Sequence, residues 1–287
     1  MIVDFRLRPP LGRFKDNFVF EDDFLSKYAR DTGTETAESA KKRSITMLLD
    51  EMKRCDVQKA VIPFRKFSTN AAFSENIPNV YNNDDLAEML KYAPDKFIGM
   101  ACVECVDGLE YMLKEIEKYV VHGDSQGVFF EPSIGVKPMF VNDKTLYELY
   151  EYCQSRDIPI LFTFGGTGCS KPEYYEPAVI DRVAHDFPKL TMILSHGGWP
   201  HVREICSVAC NRKNVFISPD LYFINGIGFQ DYVQAANYRL QDQMIFGSAY
   251  PCVSVEEAIK FYKNSGIKEK LFEKIFYKNA MRALHLD

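Results

Sequence analysis

Two arginines set two residues apart, Arg6 and Arg8 in IVDFRLRPP, are the first groups in this sequence that could do chemistry. On an extended strand residues i and i+2 point to one side, so the pair presents two guanidinium groups to the same place. A guanidinium has several donors, no usable lone pair and a permanent charge. The place it faces needs an anion. Internal carboxylates, Glu131 and Asp220, could supply one as a structural ion cluster, or a substrate carboxylate or phosphate could fill the gap through bidentate contacts.

Other candidates sit at the ends of apolar runs. Glu131 closes GVFF, where an ionised carboxylate is costly unless paired; it either pairs with Arg6 or Arg8 or serves as a general acid or base. His196 lies between a buried run and GGWP, as a proton shuttle, an oxyanion partner or a hydrogen-bonded shaper of the turn. Asp220 in SPDLY is a base or a lock on a neighbouring arginine. Thr163, Tyr222 and Tyr250 are candidates for substrate contact through their hydroxyls. Arg65, Glu104 and Trp199 are weaker, because caps, surface pairs and core packing explain them as well. His122, His185, His201 and His285 fall on expected helices or their edges. No Gly-x-Ser-x-Gly elbow is present to suggest a covalent nucleophile.

What must position these groups is a set of short apolar, β-branched or aromatic runs at 2–5, 58–63, 97–102, 127–131, 159–163, 190–195, 215–219 and 243–247. They read as strands buried on both faces. Helical periodicity occupies 44–55, 82–92, 107–120, 143–156, 176–186, 199–212 and 229–240, with further helix near 254–264 and 268–285. In NDKTLYELYEYC, Asn142 or Asp143 is the expected cap, and Leu146, Leu149, Tyr150 and Cys153 form an apolar stripe. Alternation of this kind predicts an α/β fold, a single (β/α)8 TIM barrel spanning 1–287, with its chemistry at the strand C-termini. The absence of a glycine-rich loop after the first strand argues against a dinucleotide fold. Long segments at 9–43 and 64–81 follow the first two strands, where barrel enzymes place lids.

Over nearly its whole length the chain resembles the amidohydrolase-related family, in the branch similar to aminocarboxymuconate-semialdehyde decarboxylase. IVDFRLRPP is similar to that family's DxHxH opening, LSHGGWP to its HxGG motif, IFGSAYP to FGSDYP and IFYKNAMRAL to its closing xNAxRLL segment. The resemblance implies a barrel with a mononuclear metal that activates water or polarises substrate. The departures are at the ligands: Arg6 and Arg8 replace two histidines, Thr163 or Phe164 the strand-five histidine, and Ala249 an aspartate, leaving His196. Two arginines would repel a divalent cation, so no cofactor is expected; a rearranged set of Glu131, His196 and Asp220, suited to zinc or manganese, stays open.

The expected activity is therefore hydrolysis, of the lactonase or amide and ester type, on a small carboxylated substrate without the usual metal. Arg6 and Arg8 would hold the acid, and Glu131, His196 or Asp220 would activate water. A decarboxylase or hydratase using the same cationic pocket, and a non-catalytic ligand-binding barrel, are the alternatives.

The 287 residues are 46% hydrophobic and 26% charged, a balance that can bury a core. A formal net charge of -5 without clustered Lys and Arg argues against nucleic acid. No apolar run is long enough for a membrane span and no signal peptide is recognisable, so a cytoplasmic protein is expected. The eight scattered cysteines read as reduced thiols, including the lone Cys102–Cys105 pair. The partner is expected to be a small anionic molecule, and a homo-oligomer stays open.

Overall fold

The structure is a computed structural model and describes residues 1–66, 81–168 and 171–286. Seven parallel strands pair in chain order: β1 (Ile2–Asp4), β2 (Val57–Pro63), β3 (Phe97–Val103), β4 (Ser125–Phe130), β5 (Ile160–Thr163), β6 (Met192–Ser195) and β7 (Val215–Ser218). Their residues are apolar on both faces because one face lines the barrel interior and the other meets helices. After β1 come α1 (Asp22–Thr32), α2 (Glu38–Lys41) and α3 (Ile45–Arg54). The later strands are followed by α4 (Asn83–Tyr92), α5 (Leu109–Ile116), α6 (Tyr147–Ser155), α7 (Pro177–Asp186), α8 (Val202–Asn211) and α9 (Phe229–Tyr238). Then come α10 (Val255–Asn264) and α11 (Asn279–Ala283). The architecture is the expected TIM barrel. None of the described helices is long and apolar enough to cross a membrane.

Two strands differ from expectation, and one side chain accounts for much of the difference. Residues 243–247 are not a regular strand; Met244 bridges Ile217 on one side, and Phe5 N–H donates to Phe246 O on the other. Strand β1 stops at Asp4, and its backbone bends through Phe5 and Arg6 before Leu7 bridges Tyr250. The Asp4 carboxylate takes the N–H groups of Ser248 (2.9 Å) and Arg6 (3.1 Å). A buried carboxylate thus replaces ladder carbonyls at the seam where the barrel closes, and regular pairing ends there.

Helix packing follows the expected stripes. In α6 the side chains of Leu149, Tyr150 and Cys153 are buried, and Asp143 caps the preceding turn by accepting from Thr145 N–H. The expected helix near 268–285 forms as one continuous helical run, a 3-10 turn at Glu269–Leu271 leading through Phe272 and Glu273 into a wide π turn at Lys274–Lys278 that passes directly into α11. Alternate residues fill the barrel, among them Val3, Phe5, Met100, Phe129, Ile193 and Phe216, and this cluster continues into Ala280, Ala283 and Leu284. Gln126 Nε2 donates to Leu284 O at 2.8 Å, so the segment after α11 closes the end opposite the strand C-termini. Of the two expected long loops, 9–43 is built from short helical turns and α1, while 67–80 lies outside the described residues.

Leu284 is fully buried in this floor. Leu284→Ala is expected to cost about 2–5 kcal/mol of stability, read from urea unfolding, through loss of buried volume and the cavity left behind.

Candidate functional site

At the C-terminal end of the barrel a cavity of about 310 Å³ is lined by Arg6, Arg8, Arg65, Lys27 and His196. Aromatic and small residues complete its wall, among them Phe18, Tyr28 and Tyr222. Among the described residues no carboxylate lines it. The carboxylates stand one layer behind, each holding a cation in place.

Arg65, two residues beyond β2, makes a side-on pair with Glu131: Nε to Oε2 at 2.9 Å and Nη2 to Oε1 at 2.6 Å. Thr163 Oγ1 donates to the same Oε1 at 2.8 Å. Burial alone would raise the Glu131 pKa, but the charges of Arg65 and Arg8 and the Arg65 hydrogen bond outweigh it and leave it at about 2. The expected pairing of Glu131 with Arg6 or Arg8 is corrected here. Arg65 reaches it with a planar fork, whereas Arg8 Nε is turned to Pro63 O at 3.2 Å.

Asp220 and His196 form the second assembly. His196 Nδ1 lies 2.8 Å from Asp220 Oδ1, and its backbone N–H donates to Oδ2 at 3.0 Å. Arg6 Nη2 lies 3.2 Å from His196 Nε2, and Arg6 Nε lies 3.4 Å from Asp220 Oδ2. Arginine only donates, so Nε2 must accept, and Nδ1 carries the proton shared with Asp220. Burial first, and then the charge of Arg6, lower the His196 pKa below 6.5 against the opposing pull of Asp220. Burial would raise the Asp220 pKa, yet the charge His196 carries when protonated, the charge of Arg6 and the hydrogen bonds from His196 bring it below 3.8. The imidazole is therefore neutral, with a lone pair directed at the cavity side.

The backbone is strained where these groups meet. His196 (φ 64°), Asp220 (φ 42°) and Ala249 (φ 59°) all lie in the left-handed region, which costs a non-glycine residue about 1 kcal/mol or more. Gly197, also left-handed at φ 58°, continues the turn; a Cβ there would lie 2.8 Å from Tyr232 Oη.

Arg8 has no carboxylate partner among the described residues. Beyond Pro63 O its guanidinium lies 5.7 Å from the Phe129 ring centre, and its Nη2 is buried without an acceptor. Arg6 Nη1 is likewise buried without one. Burial, followed by the like charges of Arg6 and Arg65, pushes the Arg8 pKa well below its ordinary value. Deeper still, burial and then the Glu131 charge raise the Glu104 carboxyl to about 8.

Of the residues expected at the site, Arg6, Arg8, His196 and Tyr222 line the cavity, and Glu131, Asp220 and Thr163 support it from behind. Tyr250 does not join them: its hydroxyl bonds to Ser39 Oγ at 3.0 Å in the outer layer. Arg65 carries more of the site than its sequence context suggested, and Lys27 and Tyr28 enter from α1, where the sequence marked only a long segment. The rearranged donor set of Glu131, His196 and Asp220 does not fit a metal. Glu131 is held by Arg65 and Thr163, His196 Nδ1 and Asp220 are bonded to each other, and among the described residues no three such groups are placed to hold an ion. The guanidiniums of Arg6 and Arg8, which line the same cavity as His196, add repulsion for a cation placed there.

The sequence profile of the amidohydrolase family matches residues 29–286. A solved TIM-barrel protein of Bordetella bronchiseptica, itself uncharacterised, is 35% identical with a TM-score of 0.91, over 99% of this chain and 98% of that one. A 2,6-dihydroxybenzoate decarboxylase from Rhizobium is 15% identical (TM-score 0.67, 100% and 99% covered). A probable 2-pyrone-4,6-dicarboxylic acid hydrolase from Acinetobacter baumannii is 13% identical (TM-score 0.65, 99% of each chain). None of the curated proteins matches the chain.

Arg65→Met should strand the Glu131 charge and cost about 3–5 kcal/mol. The wild-type carboxylate has its pKa depressed from 4.5 to about 2, so it contributes stability above pH 4.5 that is lost as pH falls through 2. In Arg65→Met that slope is expected to flatten or reverse, and adding Glu131→Gln should recover part of the loss. Urea unfolding between pH 3 and 8, run at roughly unit intervals, reads both effects.

Proposed function

We propose a function that proceeds from one premise: the chain belongs to the amidohydrolase family. On that scaffold it acts as a hydrolase of a small carboxylated ester, most simply a lactone, without the family's usual metal. One observation carries this reading: two buried guanidinium N–H groups, Arg6 Nη1 and Arg8 Nη2, lack acceptors beside a neutral histidine at a cavity with no carboxylate among its described lining.

The residues divide the work as follows. The substrate carboxylate engages Arg8 and the cavity side of Arg65, neutralising the charge that Arg8 holds unpaired. As the anion and the carbonyl oxygen draw the Arg6 guanidinium toward them, His196 Nε2 exchanges its contact with Arg6 for one with water. His196 takes a proton from that water as its oxygen bonds to the carbonyl carbon, and the negative charge that develops on the carbonyl oxygen is stabilised by Arg6 and Arg8. Collapse breaks the bond to the ester oxygen, to which His196 returns the proton, leaving a hydroxy acid. Asp220 holds the imidazole tautomer and stabilises its protonated form. Glu131, with a pKa of about 2 and its oxygens committed to Arg65 and Thr163, is an electrostatic strut rather than the base.

The sign of the cavity favours hydrolysis over decarboxylation. In hydrolysis negative charge grows on an oxygen facing the guanidiniums, so the transition state gains more than the ground state. Decarboxylation moves charge off the carboxylate, and a cationic clamp on that group would stabilise the starting acid. The contact of Arg6 with His196 Nε2 favours a second reading, a barrel that binds its anion without turning it over.

A panel of carboxylated γ- and δ-lactones separates the two. With a turned-over lactone, His196→Gln should lower kcat about 10²–10⁴-fold, while Arg8→Met, which removes the carboxylate's partner and an oxyanion donor together, should raise KM and lower kcat as well. Because the neutral imidazole is the active form and its pKa lies below 6.5, the rate should rise through a pKa under 6.5 and then level. Activity should survive exhaustive chelation. Tight binding with no turnover across the panel would leave the ligand-binding reading instead.

A further inference from the structure

A second cavity, of about 230 Å³, adjoins the first and shares with it Lys27, Tyr28, Thr167, Leu221 and Tyr222. Tyr222 stands at the junction. Its ring meets His196 edge-on at 5.1 Å and stacks on Trp199 at 4.8 Å with an interplanar angle of 18°. Whatever reacts beside His196 and extends past Tyr222 therefore enters this second space.

The two spaces differ in what they offer a ligand. The first is lined by Arg6, Arg8 and Arg65 with no carboxylate among its described lining. In the second the polar groups are committed to one another: Lys27 to Asp31 at 3.1 Å, and Asn225 Nδ2 to Thr32 O at 2.7 Å. Trp199 Nε1 donates to Ile227 O at 3.1 Å, and Thr167 N–H to Tyr222 Oη at 3.1 Å. Lys27 and Asp31 cancel in charge, and the remaining wall is aromatic or aliphatic, with Ile224 and Ile227 on its far side. The Asn225 and Trp199 bonds also fix this chamber, because the first ties the end of α1 to the loop after β7 and the second ties that loop to the turn after β6. A carboxylate placed here would lose water beside Asp31 and meet no uncompensated cation, because Lys27 is paired with that aspartate, whereas an apolar group would release water from aromatic surface.

We infer that the natural ligand is a two-part molecule, a single carboxylate head in the cationic cavity and a neutral, aryl or alkyl arm that passes Tyr222 into the second chamber. This rests on the anion-binding reading of the first cavity and sets a substrate class within it: an arylalkyl or alkyl-substituted lactone acid rather than a compact dicarboxylate. The arm also gives the site a means of register, since its seat past Tyr222 fixes which bond of the ligand lies at His196.

The test uses acetate, 4-phenylbutyrate and adipate as probes, with dissociation constants from calorimetry on the wild type, Arg8→Met, Ile227→Asp and Ile224→Thr. Ile227 is largely exposed, so Ile227→Asp is not expected to disturb folding. Acetate binding should depend on Arg8 and be unchanged by the two isoleucine substitutions. 4-Phenylbutyrate should bind the wild type roughly tenfold or more tightly than acetate, and this gain should shrink in both isoleucine variants; adipate should show no such gain. Acetate binding that depends on Arg8, together with no phenyl gain or with adipate the tightest probe, would overturn the two-part ligand and leave the anion pocket standing. No binding of any carboxylate, or binding indifferent to Arg8, would remove both.

Discussion

A guanidinium cannot escape burial by giving up its proton as a lysine or a carboxyl can. Placing Arg6 and Arg8 beside each other at the mouth of a barrel therefore commits the surrounding chain to supporting charge. The fold meets that demand without cancelling it. Asp220 takes up Arg6 together with His196, Glu131 takes up Arg65, and Arg8 is left with a carbonyl and an aromatic face. The carboxylates are kept one layer back, so the cavity surface among the described residues stays cationic while the layer beneath it is largely compensated.

That layering explains local features that would otherwise look unrelated. Asp220 can bind both the backbone and the ring of His196 only because both residues adopt left-handed backbone conformations at the ends of β7 and β6. The strain is of the order of 1 kcal/mol for each residue, and hydrogen bonds to a buried carboxylate are worth more than that. Asp4 does comparable work at the closing seam, where its carboxylate takes two backbone N–H groups and turns Arg6 into the mouth.

The fold was legible because its signal is distributed. Apolar runs and helical stripes recur along the chain, and an error of two residues at a strand end does not disturb the alternation. The motif IFGSAYP was also legible as a barrel segment, but its failure to pair as a regular strand was not, because that depends on Asp4 reaching Ser248 across the whole sequence. For the site, strand-end position correctly gathered Arg6, Arg8, His196 and Asp220 in one region. Partner choice was hidden. Glu131 has three arginines within its electrostatic reach, and only side-chain geometry selects Arg65. Tyr250 carried the right position with the wrong direction, since the left-handed Ala249 before it turns the chain and sends the ring outward to Ser39. Lys27 and Tyr28 had no motif at all; they arrive because α1 folds back over the mouth.

The exchange of metal ligands for arginines changes what kind of ligand the barrel can select. A metal centre offers one strong point charge with open coordination positions and can polarise groups approaching from several directions. Guanidiniums held by struts offer flat, oriented donors, and they reward a ligand whose charge lies at one end and whose remainder makes no competing demand. The chamber beyond Tyr222 is the complement of that requirement: it provides area with no net charge, adjacent to a cavity whose described lining carries guanidiniums and no carboxylate. In the proposed reaction these two spaces act on different parts of one molecule, and the neutral histidine lies at the boundary where the bond to be broken must sit.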